Sequence, residues 1–100
     1  MKKFKIVTYD NNIKLNIKDI LDKEIKRYKI DKNNLFIHSI FNPSIKFGFI
    51  EIILNEKIAT MEEKHNFFFI YKNIKNELRK KLKNDDNIEL YYNGYKDFLF

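Results

Sequence analysis

The chain has 100 residues, of which 20 are basic and 14 acidic, and its formal net charge is +6. This length predicts a single domain, and the hydrophobic fraction of 44% excludes a disordered chain of this charge. The absence of cysteine excludes disulfides, thiolate metal sites and thiol nucleophiles, and the longest apolar run, at 67–71, is too short to span a membrane.

The N-terminal part of the chain predicts a strand followed by a helix. Residues 4–9 show the two-residue alternation that is typical of a strand. Asp, Asn and Asn at 10–12 predict a turn, and 13–15 a short extended stretch. The apolar residues then follow a spacing of 3.6, which predicts a helix over 17–29 with Asn16 as its N-cap.

The middle of the chain predicts two further strands. Residues 35–41 are apolar and aromatic, and Pro43 ends this strand because proline lacks the N–H that a sheet ladder needs. The longest strand is expected at 45–54. Phe47 and Phe49 share one face of it, and we expect them to pack in the core beneath the helices.

The next segment favours two structures. We expect 55–66 to be a projecting polar connection, although Thr60 and Glu63 also fit a helix capping box. Residues 66–71 have strong strand propensity but also continue a helical stripe, so strand and helix both remain open there. A helix is predicted over 72–84.

The C-terminal part predicts a last strand at 88–92, and Gly94 then turns the chain into a short aromatic tail. The element order is strand, helix, strand, strand, helix, strand. This order predicts an α+β, ferredoxin-like split βαββαβ fold, an antiparallel sheet with two helices on one face. A strand at 66–71 would extend the central hairpin.

Catalytic chemistry has few candidate residues. His38 is expected to be a packed or edge histidine, and Asp10 a turn residue. Asp10 also ends the first strand, where a divalent-metal nuclease of the CRISPR Cas-two type carries its acid, but no second acid has a predictable place. We therefore expect no enzymatic activity, cofactor, metal site or small-molecule substrate.

Basic residues point to nucleic acid, because lysine and arginine neutralise phosphates and release counterions. The alternative is a solvated surface, since 18 lysines against two arginines also reflect AT-rich coding. The predicted RNA contacts are Lys2, Lys3, Lys5, Lys46, Lys57, Lys64, Lys72, Arg79, Lys80 and Lys83. The predicted protein contacts are His65, Phe67, Phe68 and Phe69.

Two resemblances give these residues a context. Residues 47–52, Phe-Gly-Phe-Ile-Glu-Ile, resemble the central part of the RNA-recognition-motif signature, in which aromatic side chains stack on bases. Lys46 replaces a glycine of that signature, and the first strand lacks the partner motif. The second resemblance is to ribosomal small-subunit protein ten, through element order, length, Tyr9-Asp10, and Ile40, Pro43 and Ser44 within 38–44.

The ribosomal resemblance implies a structural protein of the small-subunit head that binds ribosomal RNA and neighbouring ribosomal proteins, away from any membrane. In that comparison 55–66 is the tip of a long hairpin and 67–74 its returning strand. The AT-rich, Phe-rich composition suits a mitochondrial ribosome, or alternatively the cytoplasm of an AT-rich bacterium or phage host. A competing hypothesis is a small phage or mobile-element inhibitor that binds a protein.

Overall fold

The computed structural model describes residues 2–9, 11–42, 44–82 and 88–100, with only the backbone of 11–16. Asp10, Pro43 and Lys83, which carried sequence predictions, lie outside the described residues. The strands are β1 (Lys2–Thr8), β2 (Leu35–Asn42), β3 (Phe47–Leu54), β4 (Ile88–Tyr92) and β5 (Tyr95–Asp97). The helices are α1 (Asn11–Arg27) and α2 (Met61–Lys81), and a short 3-10 helix covers Lys32–Asn34.

The strands form one antiparallel sheet in the order β2-β3-β1-β4-β5. β1 lies at its centre and pairs with β3 along its whole length, from Lys2 opposite Leu54 to Thr8 opposite Gly48. Two helices accompany this sheet, so the predicted α+β class and ferredoxin-like order are confirmed. The β2–β3 strands match the predictions closely, although β3 begins at Phe47 instead of 45.

The core lies between one face of the sheet and the two helices. Phe4 is at its centre, with its ring centroid 5.2 Å from those of Phe67 and Tyr71 on α2. The other buried core residues include Ile6, Ile50, Ile52 and Leu90 from the sheet, Ile17, Leu21 and Ile25 from α1, and Ile70, Ile74 and Leu78 from α2. Each such side chain contributes about 1.5–3 kcal/mol through burial.

Helix α1 begins earlier than the sequence predicted. Its backbone is helical from Asn11, so the turn at 11–12, the extended stretch at 13–15 and the N-cap role of Asn16 are wrong. Ile13 stands four residues before Ile17, so the helical spacing already begins there. The helix ends in a left-handed residue, Lys29, with φ of 54°, followed by a hydrogen bond from the Ile30 amide to the Ile25 carbonyl.

Helix α2 resolves the ambiguity at 66–71 in favour of helix. The capping box is present: Thr60 Oγ1 accepts from the Glu63 amide, and the Glu63 carboxylate accepts from the Thr60 amide. The connection predicted at 55–66 is therefore confined to 55–60, and the strand at 67–74 is wrong. Helical spacing buries Phe67, Ile70 and Tyr71 together, which outweighs the strand propensity of the three phenylalanines.

The C-terminal tail adds a strand that was not predicted. Asn93 and Gly94 both have positive φ, of 52° and 85°, the geometry that a two-residue hairpin turn requires. Asn93 also ties this turn to β1, since its amide donates to the Lys3 carbonyl at 2.8 Å and its Oδ1 accepts from the Lys3 amide at 3.0 Å. Beyond β5, Leu99 enters the core.

Candidate nucleic-acid interface

The sheet face opposite the helices remains open. Residues directly across an antiparallel pair project to the same face, so the register defines which side chains lie there. We call this surface the open face. Its residues are Phe36, His38 and Ile40 of β2, Phe47, Phe49, Glu51 and Ile53 of β3, Lys3, Lys5, Val7 and Tyr9 on or just after β1, Glu89 and Tyr91 of β4, and Lys96 of β5.

The two faces of β3 are exchanged relative to the prediction. Ile50 and Ile52 are buried beneath the helices, whereas Phe47 and Phe49 are half-buried on the open face. The core role predicted for these two phenylalanines is therefore wrong. The register gives the reason: Lys5 of β1 stands opposite Glu51, and burying this charged pair instead of the isoleucines would carry a large desolvation cost.

Five aromatic rings form a continuous series across the open face, which we call the aromatic stripe. Its ring centroids are separated by 5.7 Å between Tyr9 and Phe47, and by 6.3 Å between Phe47 and Phe49. The series continues over 5.5 Å from Phe49 to His38 and 6.3 Å from His38 to Phe36. The stripe thus runs from the end of β1 across β3 to the edge strand β2.

Lysines lie along one side of the aromatic stripe. Lys5 Nζ is 4.6 Å from the ring centroid of Phe49, a cation–π contact. Lys3 precedes it on the same face of β1, and Lys96 stands opposite Tyr91 on the outer strand. A shallow depression of about 270 Å³ lies among Lys3, Lys5 and Tyr91. An aromatic surface and a row of positive charges are therefore adjacent.

Glu89 is an acidic residue of the open face whose carboxylate accepts two hydrogen bonds from tyrosine side chains. Its carboxylate accepts hydrogen bonds from the Tyr91 hydroxyl at 2.5 Å and from the Tyr9 hydroxyl at 3.3 Å. The hydrogen bond from Tyr91, and to a smaller extent that from Tyr9, lowers the pKa of Glu89 despite partial burial. The hydrogen bond between Tyr91 and Glu89 also raises the pKa of Tyr91. The ionised carboxylate therefore holds two phenol groups at the margin of the stripe.

The predicted RNA-contact residues fall on two opposite sides of the molecule. Lys3 and Lys5 lie on the open face, whereas Lys72, Arg79 and Lys80 lie on the outer surface of α2. Two of the α2 cations already have partners: Lys80 Nζ is 3.3 Å from Glu77 Oε1, and Arg79 Nε donates to the Leu99 carbonyl. The structure does not bring the predicted cations together into one patch.

The remaining predicted cations are scattered. Lys2 is opposite Leu54 and so projects to the helix side of the sheet. Lys46 is exposed in the β2–β3 turn with φ of 54°, and Lys57 is exposed in the turn after β3. Lys64 is half-buried on the first turns of α2.

The three consecutive phenylalanines divide between core and surface. Phe67 is 1% exposed, so its side chain is a core residue and is not accessible to a partner, which corrects that prediction. Phe68 and Phe69 are 43% and 37% exposed on α2. His65 is also exposed, and its ring centroid is 5.2 Å from that of Phe69. As expected from the 100° turn per residue, some of these rings leave the core.

Sequence reasoning missed several residues of the open face as candidates for binding: Tyr9, Phe36, His38, Tyr91 and Lys96. The strand alternation contained a usable signal, because Phe36 and His38 differ by two residues and thus share a face. The cross-strand register that joins them to Phe49 was not available from periodicity.

Other kinds of site find no support in the part of the chain that the structure describes. Within it, no three His, Asp or Glu side chains are grouped so as to hold a metal ion. No helix there combines the length and apolar character needed to cross a membrane. Comparisons with protein-family models, with curated proteins and with solved structures found no match.

Proposed function

We propose that this protein binds single-stranded RNA on the open face of its sheet. The observation that carries the proposal is the aromatic stripe, in which five rings lie side by side on a surface that neither helix covers. Sheet-borne aromatic side chains stack on unpaired bases, and each stacked base contributes about 1–3 kcal/mol as measured by alanine substitution. The resemblance of 47–52 to the RNA-recognition-motif signature supports the same function, since Phe47 and Phe49 share the open face.

The charges favour a nucleic acid over an uncharged partner. Lys3 and Lys5 lie on β1 beside the stripe, and Lys96 lies on the same face two strands further out. There they can neutralise phosphates of a strand whose bases lie on the rings. Glu51 and Glu89 on the same face reduce the net positive charge, so the rings are expected to contribute more than the lysines. A paired duplex is not expected to bind there, because its bases are stacked on one another.

The direct test is fluorescence anisotropy with a labelled single-stranded RNA and the matched duplex. Phe49→Ala is expected to weaken binding of the single strand by roughly 5- to 150-fold, the equivalent of one lost stacking contact. Phe68→Ala is the matched control, because Phe68 is a partly exposed phenylalanine on α2. Circular dichroism confirms that each variant is folded.

A pair of lysine variants separates the open face from α2. Lys5→Gln is expected to reduce the slope of log K against log salt by about 0.7, the value for one phosphate contact on a single strand. Lys72→Gln, on the exposed surface of α2, is expected to leave the slope unchanged. If Lys72→Gln weakens binding while Lys5→Gln and Phe49→Ala do not, RNA binds on α2 and the proposal for the open face is wrong.

The role in the small ribosomal subunit is a narrower proposal that the same RNA-binding surface would serve. Its support is the element order, βαββαβ in 100 residues, together with the residues of the ribosomal resemblance. The native protein should then sediment with the small subunit at moderate salt. A native pool that is entirely free of ribosomes, and that binds one purified protein without RNA, would favour the inhibitor hypothesis instead.

A further inference from the structure

The strand at one edge of the sheet is long, regular and uncovered. β2 pairs with β3 in an unbroken register from Leu35 opposite Leu54 to Asn42 opposite Phe47, and no described strand lies beyond it. Phe36 and Ile40 project to the open face, yet Ile37 on the helix side is also 44% exposed. Both faces of this edge strand therefore reach solvent.

β2 also lacks the features that protect an edge strand. Natural edges are blocked by lysines, prolines, bulges or a very short length, because an unprotected edge pairs with other strands. No Lys, Arg, Asp or Glu stands between Leu35 and Asn42, in a chain that is 34% charged. The opposite edge, β5, has three residues and carries Lys96 and Asp97. Among the described strands, β2 is thus the one edge that is built for pairing.

A second copy of this chain is the partner that the strand fits best. In an antiparallel pair related by a two-fold axis perpendicular to the sheet, each β2 meets itself, and residues of one face remain together. A register centred on His38 places Phe36 opposite Ile40 of the partner subunit. A register centred on Ser39 places Ile37 opposite Phe41 of the partner subunit.

Either register gives two symmetric pairs of an aromatic with a β-branched side chain, which stabilise cross-strand pairing. No Lys, Arg, Asp or Glu of one copy meets a like charge of the other along the eight residues, because the strand contains none of these residues. An unrelated extended peptide could use the backbone edge equally well, but the self-complementary sequence adds matched side chains only for a second copy.

We propose that the protein forms a homodimer through antiparallel β2–β2 pairing, which joins two five-stranded sheets into one continuous sheet. The association closes as a dimer, because each copy uses the one unprotected edge of its described sheet and the same surface serves on both copies. The inference does not rest on the proposed RNA binding. If RNA does bind, the aromatic stripes of the two copies meet at the dimer axis, because each stripe ends on β2 with His38 and Phe36.

The experiment is light scattering coupled to size exclusion across a dilution series of the full chain without RNA. We expect a mass of twice 12.3 kDa at high concentration that falls towards the monomer on dilution. Ser39→Lys places two lysines directly opposite each other in the register centred on Ser39, and one residue from the axis in the register centred on His38. In either register it should shift the chain to monomer at every concentration. Ser44→Lys is the matched control, because it adds the same charge in the exposed β2–β3 turn.

His38→Lys provides a second variant on the other face of β2, and circular dichroism checks that all three variants fold. A wild-type chain that is monomeric throughout the series overturns the proposal. So does a dimer that persists in folded Ser39→Lys and His38→Lys, or an open-ended aggregate in place of a dimer. A monomeric Ser39→Lys that still binds RNA leaves the proposed function intact, and loss of RNA binding in a dimeric Phe49→Ala leaves the dimer intact.

The absence of native cysteine makes the register measurable. The Cα atoms of directly opposed residues in an antiparallel pair are about 4.5–5.5 Å apart, within the range that a disulfide spans. Ser39→Cys should cross-link under mild oxidation if Ser39 lies on the axis, and His38→Cys if His38 does. Ser44→Cys should remain monomeric. Cross-linking of neither axial variant, or equal cross-linking of Ser44→Cys, contradicts the β2–β2 pairing.

Discussion

Removal of the Glu63 carboxylate should have the largest effect on stability of any single polar change that the structure suggests. Glu63 is 7% exposed at the start of α2. Its Oε1 accepts from the Thr60 amide and from Asn34 Nδ2, both at 2.9 Å, and its Oε2 accepts from the Asp31 amide at 2.9 Å. The carboxylate thus connects the helix N-terminus to the segment that leads into β2.

Glu63→Ala leaves three part-buried donors, the Thr60 and Asp31 amides and Asn34 Nδ2, without their acceptor. One unsatisfied buried group costs about 1–3 kcal/mol, and hydrogen bonds to charged groups are at the upper end of the usual range. Because the losses overlap, we expect about 3 kcal/mol of destabilisation, with Tm falling by roughly 12–24 °C at 4–8 °C per kcal/mol. Glu63→Gln should cost about 1–2 kcal/mol, since the amide keeps one acceptor oxygen.

The pH dependence gives an independent check. The hydrogen bond from the Thr60 amide, with those from Asp31 and Asn34, lowers the pKa of Glu63 below its ordinary value of 4.5, despite the opposing effect of burial. A carboxyl group with a lowered pKa stabilises the fold fully above the unfolded value, and this contribution is lost as the pH falls through the folded value. The stability difference between wild type and Glu63→Gln should therefore shrink below pH 4.5.

Urea denaturation followed by circular dichroism, repeated from neutral to acidic pH, measures both effects. Glu62→Ala is the control, because Glu62 is the adjacent exposed acid in the same first turn and should cost less than about 1 kcal/mol. The reasoning is refuted if Glu63→Ala is no less stable than Glu62→Ala, or if acid leaves the difference between wild type and Glu63→Gln unchanged.

Three further predictions concern packing and aggregation. Tyr71→Phe removes the hydroxyl that donates to Asp97 Oδ2 at 2.5 Å and should lower the free energy of unfolding, measured with urea, by about 1 kcal/mol. Because the two residues share this bond, the double variant with Asp97→Asn should lose less than the sum of the two single losses. Phe68→Ser should increase the soluble fraction of the concentrated chain, because Phe68 is 43% exposed. It should lower the free energy of unfolding by no more than about 1 kcal/mol, and a much larger loss would show that Phe68 is a core residue. Gly48→Ala places a Cβ 2.5 Å from Phe41 Cδ2 and should cost about 1–3 kcal/mol, part of which Phe41→Ala recovers.

Features set by neighbours along the chain were predictable from the sequence. The alternation in β1 predicted its strand, and in the structure Phe4 and Ile6, which alternate with Lys5, face the core. The capping box of Thr60 with Glu63, which the sequence offered as an alternative to a projecting connection, is the true start of α2. The helical spacing of the apolar residues of α2 indicated its buried stripe. These signals need no information from distant residues, because each follows from backbone geometry over a few positions.

The sequence left the structure of a segment open where two arrangements of that segment would both bury apolar side chains. β3 has apolar residues on both faces, so periodicity alone leaves open whether Phe49 or Ile50 faces the helices. The segment 66–71 likewise supports a strand or a helix. In the tail, the strand β5 and the burial of Leu99 depend on an edge of the sheet that only the folded chain supplies.

The strand character of β1, the helical spacing of α2 and the order of the first six strands and α-helices were thus determined by the sequence itself. The aromatic stripe and the uncovered edge of β2 were decided by the tertiary structure. The stripe exists because the register sets Lys5 opposite Glu51, which turns Phe49 outward and Ile50 inward. The pairing of Lys5 with Glu51 joins residues more than forty positions apart, and β3 by itself is apolar on both faces, so its own pattern leaves the buried face open.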